Sequence, residues 1–322
     1  MKYKQLGNTN LNVSCLCLGT MTMGWTSDKT DSFAVMDYAL DQGINFFDTA
    51  DVYSFWAEGN EGGVAESWIG EWLRARNARN KVIIATKARG RMWEGADGEG
   101  LSRAHLMRAV EDSLRRLQIE TIDLYQSHWP DEDTPLEETF RAFEDMIKQG
   151  KVRYIGCSNH DATQLQATLD LRATRGLPRY ESLQPHYNLV HRQEYEAELM
   201  ALCQQENLGV IPYSPLAGGF LTGKYRQGSE IPAKSRGHGN DRMAPYMNSK
   251  GYNIVETLVE IGQQHNATPA QISIAWILSN PTVTSAIVGA NTVEQLTETA
   301  RTIEIQLTPQ EKAWLDNLPS PT

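Results

Sequence analysis

An α/β fold of eight parallel strands, the (β/α)8 or TIM barrel, is what this sequence predicts, and two observations carry the prediction. Eight short β-prone runs alternate with segments of helical periodicity along the 322 residues, without a Pro/Gly/Ser linker or low-complexity block. Strands alternating with helices pair in parallel through right-handed crossovers, and eight such units can close on themselves. The runs are Cys15 to Gly19, Asn45 to Asp48, Val82 to Lys87, Ile122 to His128, Tyr154 to Ser158, Ser182 to Gln184, Val210 to Ser214 and Ser285 to Gly289. Three of them lead directly into ionisable side chains, at the end of a barrel strand where barrel enzymes keep their chemistry. One domain over residues 1–322 is therefore expected.

Taken in order, the elements carry their own signals. Lys4-Gln5-Leu6 and Leu11-Asn12-Val13 flank Gly7-Asn8-Thr9-Asn10, which reads as a hairpin ahead of the first barrel strand. Thr134-Pro135-Leu136-Glu137 supplies a cap, a first-turn proline and a carboxylate; Leu136, Phe140, Phe143 and Ile147 then mark one helix face as far as Gly150. Asp161 to Gln164, Thr268 to Gln271, Thr292 to Gln295 and Thr308 to Glu311 repeat the capping-box pattern.

Composition narrows the class. A formal charge of −10 disfavours a general nucleic-acid surface, so any anion site has to be local. Three of the four cysteines, Cys15, Cys17, Cys157 and Cys203, lie in apolar runs where a thiol packs as a small hydrophobe. Cys15-Leu16-Cys17 lacks the two-residue gap of zinc pairs, and no metal site is expected. No segment approaches the roughly 20 apolar residues that span a bilayer. A cytoplasmic protein, acting on neither membrane nor nucleic acid, is the expectation.

The strand ends bring four chemistries together. Asp48 closes the second barrel strand and Tyr53 follows five residues later; Lys87 ends the third and His128 the fourth. With this order of residues the chain resembles the aldo-keto reductase superfamily, whose catalytic tetrad is Asp, Tyr, Lys and His at these strand ends. An isolated phenol with a pKa near 10 is a weak acid at neutral pH, and an adjacent ammonium lowers it. Lys87 fits that part, Asp48 keeps the lysine charged and aimed, and a neutral His128 polarises a carbonyl. The resemblance implies Tyr53 as general acid in reduction and base in reverse. It also implies a hairpin that plugs the barrel bottom.

Reduction by a tyrosine acid needs a hydride, and nothing in the sequence suggests flavin or metal chemistry. The resemblance implies a nicotinamide held by Ser158, Asn159 and Gln184 and stacked on Tyr213, with Gly19, Thr20 and Met21 beside it. Tyr213-Ser214-Pro215-Leu216-Ala217-Gly218 to Lys224 resembles the family's pyrophosphate loop, with Lys224 and Arg236 as phosphate partners. From Lys224 to Arg242 five basic residues face two acidic ones. Gly289, Asn291, Gln295 and Glu298 enter a capped helix suited to an anion and the adenosine. Many relatives carry a cation near Asn291, often with Asn where Thr299 stands. NADP(H) is the expected cofactor, and NAD(H) is the second.

Trp25, Trp56 and Trp129 follow the first, second and fourth barrel strands and are expected to ring an aromatic pocket for a small carbonyl or alcohol substrate. The chain also resembles potassium-channel β subunits, including Leu221-Thr222-Gly223-Lys224-Tyr225. A regulatory cofactor-binding subunit is thus the alternative. Those relatives usually have Asn in place of His128, which favours catalysis here.

Overall fold

The computed structural model describes residues 1–228, 230 and 241–321. Strands β1 (Tyr3–Gln5) and β2 (Asn12–Ser14) pair antiparallel as the expected hairpin. Its apolar residues Leu6, Leu11 and Val13 pack on Cys17, Phe46, Ala85, Leu124 and Ile211 inside the barrel, so the hairpin is an apolar plug. Gly7 has φ +52°, and a Cβ there would lie 2.4 Å from the Glu181 carbonyl oxygen. Any other residue would push the plug off the wall.

The barrel strands are β3 (Leu16–Gly19), β4 (Phe46–Asp48), β5 (Ile83–Ala88), β6 (Ile122–Ser127), β7 (Val152–Ser158), β8 (Tyr180–Gln184), β9 (Gly209–Val210) and β10 (Ala286–Gly289). They pair in parallel in the order β10-β3-β4-β5-β6-β7-β8-β9. Thr284 N donates to Val210 O at 2.8 Å and Ile287 N to Pro212 O at 3.0 Å, which closes the seam. All eight C-terminal ends therefore share one rim. The seventh barrel strand is shorter than expected, because Pro212 has no N–H to give a ladder. Ile211 N and Tyr213 N still reach Leu183 O and Pro185 O, both at 3.0 Å, carrying Tyr213 and Ser214 to the rim.

Helices α1 (Lys29–Asp41), α2 (Val64–Arg76), α3 (Arg103–Leu117), α4 (Leu136–Lys148), α5 (Ala162–Arg175), α6 (Met200–Gln205), α7 (Ser249–His265), α8 (Pro269–Ser279), α9 (Val293–Ala300) and α10 (Pro309–Asp316) complete the alternation. Capping boxes form at Asp161, Thr268 and Thr308. At Thr292 only half forms, since the Gln295 amide oxygen accepts from Asn291 N at 2.8 Å instead. Thr134 does not cap α4; its hydroxyl donates to Asp131 Oδ2 at 2.7 Å. A carboxylate is the stronger acceptor, and Asp131 also gathers Leu101 N and Asp133 N.

Behind the barrel wall Glu66 of α2 is fully buried, accepting from Arg116 Nε of α3 and from Thr86 Oγ1 of β5, each at 2.6 Å. Burial and the Glu66 charge push the nearby Asp51 carboxyl well above its ordinary value. Removing Arg116 leaves the buried Glu66 charge without its ion-pair partner, at a cost of about 3–5 kcal/mol. Arg116→Met is therefore expected to lower the urea midpoint sharply; an unchanged midpoint would contradict the role of this cluster.

Candidate active site

The rim assembles the four expected residues. Parallel register sets Asp48 beside Ala85 and Lys87 beside Gln126, with His128 just past the end of β6. Lys87 is fully buried. Its Nζ donates to Asp48 Oδ1 at 2.6 Å, Thr49 O at 2.8 Å and Tyr53 Oη at 3.0 Å. An ammonium has three protons and no acceptor, so all three are spent and Tyr53 receives one of them. The phenol's own proton stays free for another partner.

Asp48 turns its second oxygen to two primary amides, Gln184 Nε2 at 2.9 Å and Gln126 Nε2 at 3.2 Å. Burial alone would lower the Lys87 pKa, but Asp48 and Tyr53 outweigh it and the ammonium is held charged. Tyr53 departs from expectation. Burial raises its pKa, and the Lys87 charge offsets that rise without reversing it. The net result is a phenol that keeps its proton at neutral pH. His128 is held neutral, its pKa pushed well below the ordinary value by burial and by the Lys87 and Arg89 charges. Its ring lies 5.9 Å from that of Tyr53 and stacks on Trp129 at 3.8 Å.

On the far side of the rim Ser158, Asn159, Gln184 and Tyr213 come together. Asn159 Nδ2 donates to His128 O at 2.9 Å and Ser158 Oγ at 3.1 Å, while its Oδ1 accepts from Tyr213 Oη at 2.8 Å. Ser158 Oγ donates to Gln184 O at 2.8 Å. The Gln184 Oε1 carries no hydrogen bond among the described residues. His186 backs the Tyr213 ring at 5.1 Å, nearly parallel, and is itself backed by His191 at 4.0 Å. Burial and the His191 neighbour push the His186 pKa down to about 4, so the ring against Tyr213 stays neutral.

Beyond Tyr213, Ser214 (φ 54°), Ala217 (φ 49°), Gly218 (φ 67°) and Gly219 (φ 102°) curl the backbone through left-handed conformations around Pro215 and Leu216. Lys224 is exposed, and a Cβ on Gly219 would come 3.3 Å from its Nζ. The glycine thus lets a cation lie against a curled backbone, the chemistry of an anion cradle. Arg236 lies outside the described residues. Gly19 pairs with Gly289 across β3 and β10, Thr20 is tied to Asp48 O through both its N–H and Oγ1 at 3.0 Å, and Met21 is exposed. Asn291 Oδ1 accepts from Thr26 Oγ1 at 3.1 Å. The Glu298 carboxylate accepts from Thr268 Oγ1 at 2.7 Å, bracing the start of α8.

The expected tryptophans do stand at the mouth. Trp25 and Trp56 meet edge to face at 5.7 Å, Trp56 lies 6.2 Å from Tyr53, and Trp129 covers His128. All three are about two-fifths exposed, at 42%, 40% and 43%.

A sequence model of the aldo/keto reductase family matches residues 15–319. The chain belongs to the aldo/keto reductase family. It is similar to a Bacillus subtilis (strain 168) protein named uncharacterized oxidoreductase YrpG, 38% identical over 95% of this chain and 92% of the relative. It is 34% identical to the L-glyceraldehyde 3-phosphate reductase of Escherichia coli (strain K12), over 98% and 92% of the two chains. It is 35% identical to a probable voltage-gated potassium channel subunit beta of Oryza sativa subsp. japonica, over 96% and 94%. As an aldo/keto reductase it is an oxidoreductase of a family that typically binds a nicotinamide cofactor.

Three contributors of this aldo/keto reductase were not anticipated from sequence. Gln126 lies two residues before His128 and so on the same face of β6, a period-two signal that could have found it. The His186–His191 stack depends on a chain reversal, where Asn188 and His191 exchange backbone hydrogen bonds at 3.1 Å. Arg89 follows Lys87 by two residues, past the end of the strand run that the sequence marks.

Proposed function

We propose that this chain is an NADP(H)-dependent reductase of aldehydes or ketones, with Tyr53 as general acid, Lys87 and Asp48 holding it and His128 polarising the carbonyl. The single observation that carries the reading is the spent lysine: Lys87 gives all three protons, one to Tyr53, and leaves the phenol proton available. A carbonyl oxygen at the mouth would take that proton and a hydrogen bond from neutral His128, both aimed at the charge that develops there. When bound, the nicotinamide supplies the hydride. The chain's own residues fit it. Gln184 Oε1 is an open acceptor for a carboxamide, Tyr213 offers a backed ring face, and the 214–219 loop with Lys224 suits a diphosphate. Asn159 and Ser158 brace that platform. Trp25, Trp56 and Trp129 would exclude water from the reacting carbonyl. NADP(H) is favoured over NAD(H) by the basic character of the segment from Lys224 to Arg242. The single domain over 1–322 and a cytoplasmic location belong to this reading.

The test is a fluorescence titration with NADPH and separately NADH, followed by an absorbance assay against aldehydes and ketones. Tight NADPH binding with turnover is expected. Tight binding without turnover would instead point to a regulatory cofactor-binding subunit, the alternative that fits a chain similar to a probable potassium channel subunit beta.

A further inference from the structure

Among the described residues six arginines are not exposed, and Arg79, Arg116, Arg179, Arg192 and Arg226 each hold a carboxylate within 4.0 Å. Arg89 holds none. It is half-buried, and its Nε is enclosed without a hydrogen-bond partner. An enclosed guanidinium N–H without an acceptor is costly, and proteins ordinarily pair it.

Its position is defined by the barrel. Ala88 pairs with Ser127 and accepts a hydrogen bond from His128 N at 3.0 Å, so the next step of that register sets Arg89 beside His128. Neighbouring strands are about 4.8 Å apart, well within the reach of an arginine side chain. The backbone there has φ 149°, a region that favours glycine. An arginine is kept where a glycine would relieve a strain of about 1–3 kcal/mol. Asp131 lies near enough for the Arg89 charge to help lower its pKa, but its oxygens are engaged by Leu101 N, Asp133 N and Thr134 Oγ1, and it forms no ion pair with Arg89.

We propose that Arg89 recognises an anionic group, a carboxylate or a phosphate, on the carbonyl compound that is reduced between Tyr53 and His128. This rests on the reductase reading given above. It narrows the substrate class from any aldehyde or ketone to one with a negative charge at its far end, alongside Trp129. A neutral substrate would leave the guanidinium unpaired in the complex; an anionic one would gain a charge-assisted, bidentate contact.

The experiment compares the native protein, Arg89→Met and Arg89→Lys with three aldehydes of similar shape: 4-formylbenzoate, 4-formylphenyl phosphate and the neutral 4-formylbenzamide. Binding is read by tryptophan fluorescence with saturating oxidised cofactor, and turnover with the reduced cofactor. The native protein should bind at least one anionic aldehyde about tenfold more tightly than the amide. Arg89→Met should erase that preference, and Arg89→Lys should keep part of it. Which anion is preferred separates a carboxylate from a phosphate substrate. The proposal is overturned if the native protein shows no charge preference, or if Arg89→Met weakens all three aldehydes equally, which would mark Arg89 as a support for His128 alone. Charge-selective binding without turnover would remove the reductase reading and leave the Arg89 assignment standing.

Discussion

Tyr53→Phe is expected to reduce the rate of carbonyl reduction by about 10²–10⁴-fold, the usual contribution of a positioned acid, while cofactor affinity stays within error. The phenylalanine keeps the ring that packs near Trp56 and His128 and removes only the hydroxyl that accepts from Lys87. Single-turnover absorbance and a fluorescence titration separate the two effects. Retained turnover would refute the acid assignment. In the native enzyme reduction should be flat through neutral pH and fall only in alkali, because burial raises the Tyr53 pKa and the acid keeps its proton. The reverse oxidation needs the phenolate and should rise over that same alkaline range.

Lys87→Met is expected to damage both rate and stability. Without the ammonium, burial and the Asp48 charge both act to raise the Tyr53 pKa, and the offset that Lys87 provides is gone. The alkaline limb of the reduction profile should move up and its plateau drop. An unchanged profile would break the proposed coupling. Asp48, 2% exposed, would also be left facing two neutral amides in place of a cation. Breaking a buried pair from one side costs about 3–5 kcal/mol, so the urea midpoint should fall clearly. A Lys87→Met protein of native stability would mean that water or a proton replaces the lysine at Asp48.

Much of this was legible because strand ends and capping boxes are local signals. Asp48, Lys87 and His128 close three apolar runs, and any parallel closure brings such ends to one rim. The failures are instructive for the same reason. Thr134 carries a cap pattern, yet Asp131 outcompetes the helix for its hydroxyl. The Lys87 charge predicts an acidified Tyr53, yet burial wins. In both cases a group close in the fold, or the loss of water, decides against the local rule.

The sequence by itself determined the order of strands and helices, the N-terminal hairpin and the membership of the rim, since periodicity and strand-end chemistry are written over a few residues at a time. Tertiary structure alone decided how protons and charges are shared there. Gln126 and Gln184 divide one oxygen of Asp48 across 58 positions of chain, and Lys87 reaches Tyr53 across 34. His186 backs Tyr213, and Arg89 Nε has no hydrogen-bond partner among the described residues, because of how separate strands are packed. Hydrogen-bond reach and desolvation are properties of distance in space, and a linear chain does not carry them until the barrel has closed.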